Sequence, residues 1–489
     1  MSQVRRIAIL GGGSAGWMTA AALARALPRG SEIVVVEDPA APDSGCLAPF
    51  DSTLPSLAAF NRSLGLDEDR LMAAIGATFK LGTRFSGWTR PDHAYVHPFS
   101  DYGAVIEGVA FHHLWLKLRQ AGQVEPFEDF ALAAVAGKAG RFARPSDDPR
   151  SVTSTMAYGL HLDVAAYVNV VRSVALREGV RRIEGRFAAV ERGTEGNEID
   201  TLTLHDGSRI EADLFIDCSG LEALLVGALA SHRDDWSASL PVDRVTWSRT
   251  SKSAPPLLTE ATAARNGWRQ TLPLADGSAQ IEFMASRFQS GQTADATSRA
   301  FVSGHRTPWV GNVIAIGLSA TVLEPLEGTG LHLVQSGISK LLGLFPRPDA
   351  MAIPAREYNR LMLAESERIR DIVIAHYRLN RRRGQPLWDA CAAAEPPAEL
   401  AYKMRLFESR GRIPLSDEET FEEAGWIATF MGHHLQPKRY HPLADQFTHA
   451  EIRDRLDRMR AVMKAAVDAM PPTQTATAPV RSRESQPRS

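Results

Sequence analysis

A short apolar run broken by glycines constrains this chain more than any other feature. Arg5-Arg6-Ile7-Ala8-Ile9-Leu10 has strand length, and Gly11-Gly12-Gly13-Ser14-Ala15-Gly16 follows it at once. Helix formers then run over residues 17–27. After Pro28-Arg29-Gly30 comes Glu32-Ile33-Val34-Val35-Val36, a β-branched run suited to a strand buried on both faces. The order strand, glycine turn, helix, strand is that of a dinucleotide-binding unit. In Gly11-x-Gly13-x-x-Gly16 the glycines serve a tight turn, close approach of backbone to a pyrophosphate, and close packing of helix on strand. The helix start, with Ser14 and Ala15, offers N–H groups to phosphates. Glu37 follows Gly16 by 21 residues, where an acid reaches the ribose hydroxyls of an adenosine. Residues 5–39 therefore read as an FAD or NAD site, against the plainer reading of a glycine turn without a ligand.

A chain of 489 residues has room for two or three domains around such a unit. The net charge of −2, from 55 basic and 57 acidic residues, gives no footprint for nucleic acid or a membrane surface. Cys46, Cys218 and Cys391 lie far apart without paired zinc spacing, so neither a disulfide framework nor a metal site is indicated. The first strand begins too early for a signal peptide, and no apolar run approaches the ~20 residues of a membrane span. A cytoplasmic protein is expected.

Beyond the glycine unit, residues 40–55 read as a loop returning over the cofactor and residues 57–77 as helical. Residues 77–88 read as a strand on which Phe79, Leu81 and Phe85 face a core and Lys80 faces away. Residues 111–121 and 163–178 read as helices, with a polar surface excursion over residues 137–155. A β-meander is expected over residues 180–210, with Asp206-Gly207 as a hairpin turn. Ala212-Asp213-Leu214-Phe215-Ile216-Asp217 reads as a strand returning beside the first. Residues 240–300 read as an antiparallel layer with Trp247, Trp268 and Phe283 in its core. Gly311-Asn312-Val313-Ile314-Ala315-Ile316-Gly317-Leu318 is a further buried strand, and a second glycine-bearing helix start follows over residues 324–330. From residue 357 the pattern is largely helical. After about residue 470 the chain is too poor in apolar residues to order itself.

Taken together, these stretches resemble the flavin-dependent halogenases of the tryptophan halogenase type. The resemblance is carried by Gly11-Gly12-Gly13-Ser14-Ala15-Gly16-Trp17-Met18, Thr78-Phe79-Lys80-Leu81-Gly82, His97-Pro98-Phe99, Phe111-His112-His113 and Asp217-Cys218-Ser219-Gly220, then by residues 323–330, His376-Tyr377-Arg378-Leu379 and Arg439-Tyr440-His441-Pro442-Leu443. It implies an α/β fold. An FAD-binding Rossmann-like module of the flavoprotein monooxygenase type is expected over residues 1–345, with an inserted antiparallel layer at about 180–300. A mostly helical substrate module over residues 346–470 would cap it, and residues 471–489 would form a disordered tail.

The chemistry implied is that FADH2, supplied by a separate flavin reductase, and oxygen oxidise chloride or bromide to hypohalous acid. An internal tunnel then leads the oxidant to a lysine, which delivers electrophilic halogen to an aromatic ring. Lys80 matches that lysine: an ammonium there hydrogen-bonds hypohalous acid and a neutral amine forms a haloamine. Outside this context it would read as a surface lysine on a strand. Glu327 matches the acid beside it, the alternative being a helix N-terminal acid favoured by the dipole; Glu324 reads as structural. The backbone amides of Thr329 and Gly330 match the halide site, apt for an anion at a helix start. Gly317 and Leu318 fall at the flavin, and His97 and Phe99 match the residues that sandwich the substrate ring, ordinary core packing being the alternative. The assembly state stays open, a homodimer being one option.

Three departures from the family pattern stand out. Gly267-Trp268-Arg269-Gln270-Thr271-Leu272-Pro273 has Gln270 where a second tryptophan helps keep substrate from the flavin. Ala48-Pro49-Phe50-Asp51-Ser52-Thr53-Leu54-Pro55 replaces two strap glycines by Ala48 and Phe50, which stiffens the strap, and its glutamate by Asp51. The long excursion that grips free tryptophan is not recognisable over residues 401–434. An indole-type or peptide-borne ring is therefore expected in place of free tryptophan. Two alternatives remain beside the halogenase: an FAD-dependent aromatic hydroxylase, favoured by Gln270 and the strap, and a non-catalytic flavin-binding paralogue.

Overall fold

Strand β1 (Arg6–Leu10), helix α1 (Ser14–Ala26) and strand β2 (Glu32–Glu37) form the expected unit, with β1 and β2 parallel. The strand Leu214–Asp217 returns on the other side of β1, and Val313–Ala315 lies parallel beyond it. Arg181–Glu184 closes the far edge and Trp309–Val310 the near one, giving a six-stranded sheet. Ile7, Ile9, Val35 and Ile216 are buried among aliphatic neighbours, which is why these runs lack polar alternation. The computed structural model describes residues 4–40, 45–122, 124–193, 196–229, 231–289 and 298–473.

A second, nine-stranded sheet stands on this unit. It contains β3 (Phe50–Ser52), β4 (Thr78–Ser86), β5 (Ala94–Pro98), β6 (Gly159–Asp163) and four longer strands between Arg244 and Met284. The meander of residues 187–211 is a separate three-stranded sheet, with Gly207 at φ +85° in its hairpin. Helices Ala352–Arg378, Pro386–Ala393, Ala398–Arg410, Glu423–Gly432 and His449–Ala469 follow; Glu423–Gly432 packs on β5, and His449–Ala469 on the helices Phe111–Gln120 and Leu132–Ala139. Their tryptophans Trp388 and Trp426 join Trp88, Trp115 and Trp268 in one aromatic core.

Several expectations are corrected. Residues 57–77 form two helices, α2 (Ser56–Ser63) and α3 (Glu68–Ile75), because Gly65 adopts φ +69° and turns the chain. The supposed excursion over residues 137–155 begins inside the helix Leu132–Ala139, whose alanine-rich face is buried. Trp247 is 39% exposed: it shares a strand face with Val245, which fills the core, but it begins the run of residues 247–250 that packing leaves uncovered, while Trp268 and Phe283 are buried and stacked. Residues 471–473 are ordered on the Leu132–Ala139 segment: the Phe142 amide donates to the Pro471 carbonyl at 3.1 Å and the Thr473 hydroxyl to that of Gly140 at 2.7 Å. The remainder of the expected tail, 474–489, lies outside the described residues.

Strict alternation also fails on β4. Lys80 pairs with Leu257 and Gly82 with Leu258, so Leu81 is an extra residue, a β-bulge. Phe79 and Leu81 pack in the core that includes α1, but beyond the bulge Phe85 crosses to the aromatic core. A bulge re-aims side chains at functional sites. Here Phe85 lies where it stacks on His376 of the site below.

Candidate active site

The cradle for a dinucleotide is built of backbone. A Cβ on Gly11 would stand 2.2 Å from the Cys218 carbonyl oxygen, and one on Gly16 1.8 Å from that of Gly11, so both positions require glycine. Gly13 precedes α1, which has no side-chain cap and no acid in its first turn, leaving its N–H groups to an anion. Ser14 and Ala15 present those amides beneath Gly45, which leads into the strap. Glu37 ends β2, where it accepts from Trp17 Nε1 at 3.0 Å and pairs with Arg182. That carboxylate is already engaged by protein donors, with lone pairs left for a hydroxyl. Gly317, at φ +75°, and Leu318 line the recess that continues between the strap and Pro325. These features fit FAD.

Lys80, at the β-bulge, is fully buried. Its Nζ donates to the Ser52 carbonyl at 3.5 Å and lies 4.9 Å from the centre of the half-buried Phe99 ring. Burial lowers its pKa to about 8, opposed by the fields of Glu327 and Asp51. Charged and neutral forms are thus both within reach near neutral pH. Glu327 is buried and accepts two hydrogen bonds at Oε1, from His97 Nδ1 and His376 Nε2, each at 2.8 Å. Burial pushes this carboxyl up, yet the two imidazoles outweigh it and hold Glu327 well below the usual carboxylate range.

Because Oε1 accepts from both rings, His97 carries its proton on Nδ1 and His376 on Nε2. His376 Nδ1 is then an acceptor, facing the Tyr95 hydroxyl and His433 Nε2 at 3.1 Å each. Phe85 stacks on His376 at 4.3 Å and fixes its plane. His97 differs from the expectation of an open stacking face. It is 4% exposed, bonded to Glu327, and covered by Phe421 at 6.0 Å and by the helix Glu423–Gly432. Only Phe99 of the expected pair faces Lys80. Glu324 is structural in its contacts, joining Trp268 Nε1 at 2.7 Å to the Tyr377 hydroxyl at 2.6 Å.

Thr329 and Gly330 open the helix Gly330–Gly343, which has neither side-chain cap nor acid in its first turn. They line the same recess as Gly317 and Leu318, so the halide and flavin positions expected from sequence adjoin. Gly328 has φ +77°, and a Cβ there would meet the Ser52 carbonyl at 1.8 Å and Lys80 Nζ at 2.9 Å. Glycine at this position is what lets β3 and Lys80 close on the loop. Among the described residues no group of His, Cys, Asp and Glu is placed to hold a metal, and no helix is long and apolar enough to cross a membrane.

A family model, tryptophan halogenase, matches residues 6–449. The chain belongs to the tryptophan halogenase family. It is 30% identical to tryptophan 7-halogenase RebH of Lentzea aerocolonigenes over 462 residues, 85% of this chain and 84% of that one. Among solved structures it resembles Xcc4156, a flavin-dependent halogenase from Xanthomonas campestris, with 36% identity and a TM-score of 0.91 over 97% of this chain and 98% of that one. BrvH, a flavin-dependent halogenase from Brevundimonas sp. BAL3, gives 34% identity and 0.91 over 97% and 99%. The chain is thus a flavin-dependent halogenase, an oxidoreductase using FADH2 with halide as co-substrate, for which the family implies an aromatic substrate and a partner flavin reductase.

Within this halogenase, Gln270 is buried on the strand Gly267–Leu274, opposite Ala261 and Ile281. The link over residues 411–422 between two helices is short, with no long excursion over the ring site. Of the residues singled out from sequence, Phe99 lies over Lys80 and Glu327 within its field, while Thr329 and Gly330 line the recess of Gly317 and Leu318. Sequence reasoning missed His376 as a partner of Glu327, and His433 as the partner of His376. His376 stood in a quoted motif, but its role depends on a contact 49 residues away that no local pattern encodes.

Proposed function

We propose that Lys80 receives hypohalous acid and directs its halogen to an electron-rich ring held on Phe99, with Glu327 accepting the ring proton. The reading rests on one observation: a fully buried lysine within the field of a buried carboxylate whose two imidazole donors keep it ionised. Reduced FAD and oxygen supply the oxidising equivalents that turn halide into hypohalous acid. The Lys80 ammonium hydrogen-bonds the oxygen of that acid; the ring attacks halogen, the O–X bond breaks, and the oxygen leaves as water with a proton from Lys80. The ring then loses its proton to Glu327, and that proton returns to the Lys80 amine. A weakly basic carboxylate suffices, because a halogenated ring cation is a far stronger acid than a carboxylic acid. The amides of Thr329 and Gly330 hold the halide before oxidation.

The substrate is an indole-type or peptide-borne ring, not free tryptophan, because the link over residues 411–422 brings no long excursion to grip an amino acid's ends. A panel of indole, a tryptophan-bearing peptide and free tryptophan, given reduced FAD, oxygen and bromide, tests this by product mass. Bromine's isotope pair should appear on the first two at rates well above free tryptophan; preference for free tryptophan would reject the reading. Gln270, in place of a bulky indole, favours a second reading, hydroxylation of the ring. Product heavier by oxygen alone would establish it.

A further inference from the structure

The recess expected to receive halide contains a carboxylate. Asp51, on β3, is 5% exposed, and its Oδ1 accepts from the Ser52 amide at 2.7 Å. Its Oδ2 has no hydrogen-bond partner. That oxygen lies 3.3 Å from where a Cβ on Gly330 would stand, against the uncapped start of the Gly330–Gly343 helix. The Leu331 amide is near enough to favour the charged form, while falling short of a hydrogen bond to Oδ2. Thr329, Gly330 and Leu333 share the recess wall with Asp51, and the other lining side chains bring no cation.

An ionised Asp51 and a halide cannot both occupy this place. Two anions within about 4 Å repel by several kcal/mol at the dielectric of a partly buried site. Lys80, from β4, is the cation whose field reaches Asp51, and Glu327 stands against the same ammonium. From β6, His161 pairs with Ser52 and is kept neutral by burial, so it adds no charge. On the helix itself, His332 is turned to Ser56 and Glu365. The balance at the recess is therefore one cation shared by two carboxylates, with a helix start that favours one more negative charge and no second.

We propose that Asp51 gates the halide site: its carboxylate takes the anion's place at the start of the Gly330–Gly343 helix, and halide enters together with a proton that neutralises it. Burial, which raises the Asp51 pKa against the Ser52 amide and Lys80, works in the same direction. The neutral acid's O–H then points a donor at the bound halide. This rests on the reading of the Thr329 and Gly330 amides as the halide site. It also accords with the overall reaction, FADH2 + O2 + X⁻ + ArH + H⁺ giving FAD + ArX + 2 H2O, in which one proton is consumed with each halide.

The test is calorimetric titration of bromide into the full chain loaded with oxidised FAD, from pH 5.5 to 8.5, in buffers of different ionisation enthalpy. Wild type should take up about one proton per bromide on the alkaline side, with affinity falling about tenfold per pH unit there. Asp51→Asn, which keeps the shape and removes the charge, should bind bromide more tightly, without proton uptake and with little pH dependence. Bromide binding by wild type that is flat with pH and takes up no proton would overturn the gate while leaving the halide site standing. So would an Asp51→Asn profile that matches wild type. Absence of bromide binding in both proteins at every pH would overturn the gate and the halide site together. The proton count on wild type decides the matter even if the variant fails to fold.

Discussion

In the proposed reaction Lys80 and Glu327 divide the work because their surroundings push them in opposite directions. Burial loosens the proton on Lys80 to a pKa of about 8, whereas two imidazole N–H groups keep Glu327 ionised throughout the working range. If the ammonium form acts, single-turnover halogenation should fall as pH rises through about 8, because the proton donor to hypohalous acid is lost; a rise over the same range would assign the step to a haloamine. The two residues of the expected sandwich should also separate kinetically. His97→Ala removes one charge-assisted hydrogen bond from Glu327, worth about 1.5–3 kcal/mol, so kcat should drop roughly 10–100-fold with little change in KM. Phe99→Ala removes a ring contact worth about 0.5–1.5 kcal/mol and should raise KM about 3–10-fold. Equal KM effects from both would restore His97 to the substrate.

At the scale of elements, the site is a meeting of segments that packing alone brings together. The β-bulge at Leu81 lets β4 serve two cores, and β3 closes over Lys80 only because Gly328 has no Cβ. Gly328→Ser should force β3 away from the loop and strain a left-handed residue, at a cost of roughly 1–3 kcal/mol. A lowered Tm with reduced halogenation, and normal FAD affinity, is the expected result; unchanged activity and stability would show that β3 yields freely. The glycine unit, the returning strand and the Gly330 helix were readable in the sequence because each is a local period with its own punctuation. The bulge, the split at Gly65 and the exposure of Trp247 were not, since they depend on which other segments pack there and how far they reach. The partnership of Glu327 with His97 and His376 lies beyond local reading for the same reason: the first contact spans 230 residues.

For the whole molecule, one large aromatic core joins the helices of residues 352–469 to the nine-stranded sheet, and Lys80 and Glu327 are buried. In the proposed reaction, oxidant made at the flavin is used at Lys80. The most direct test compares wild type and Lys80→Ala under reduced FAD, oxygen and bromide with indole, following flavin oxidation by absorbance and brominated indole by mass. Flavin oxidation should be unchanged while brominated indole falls at least about 100-fold, the usual scale for a positioned acid. Bromination by Lys80→Ala at a rate near that of wild type would contradict the account.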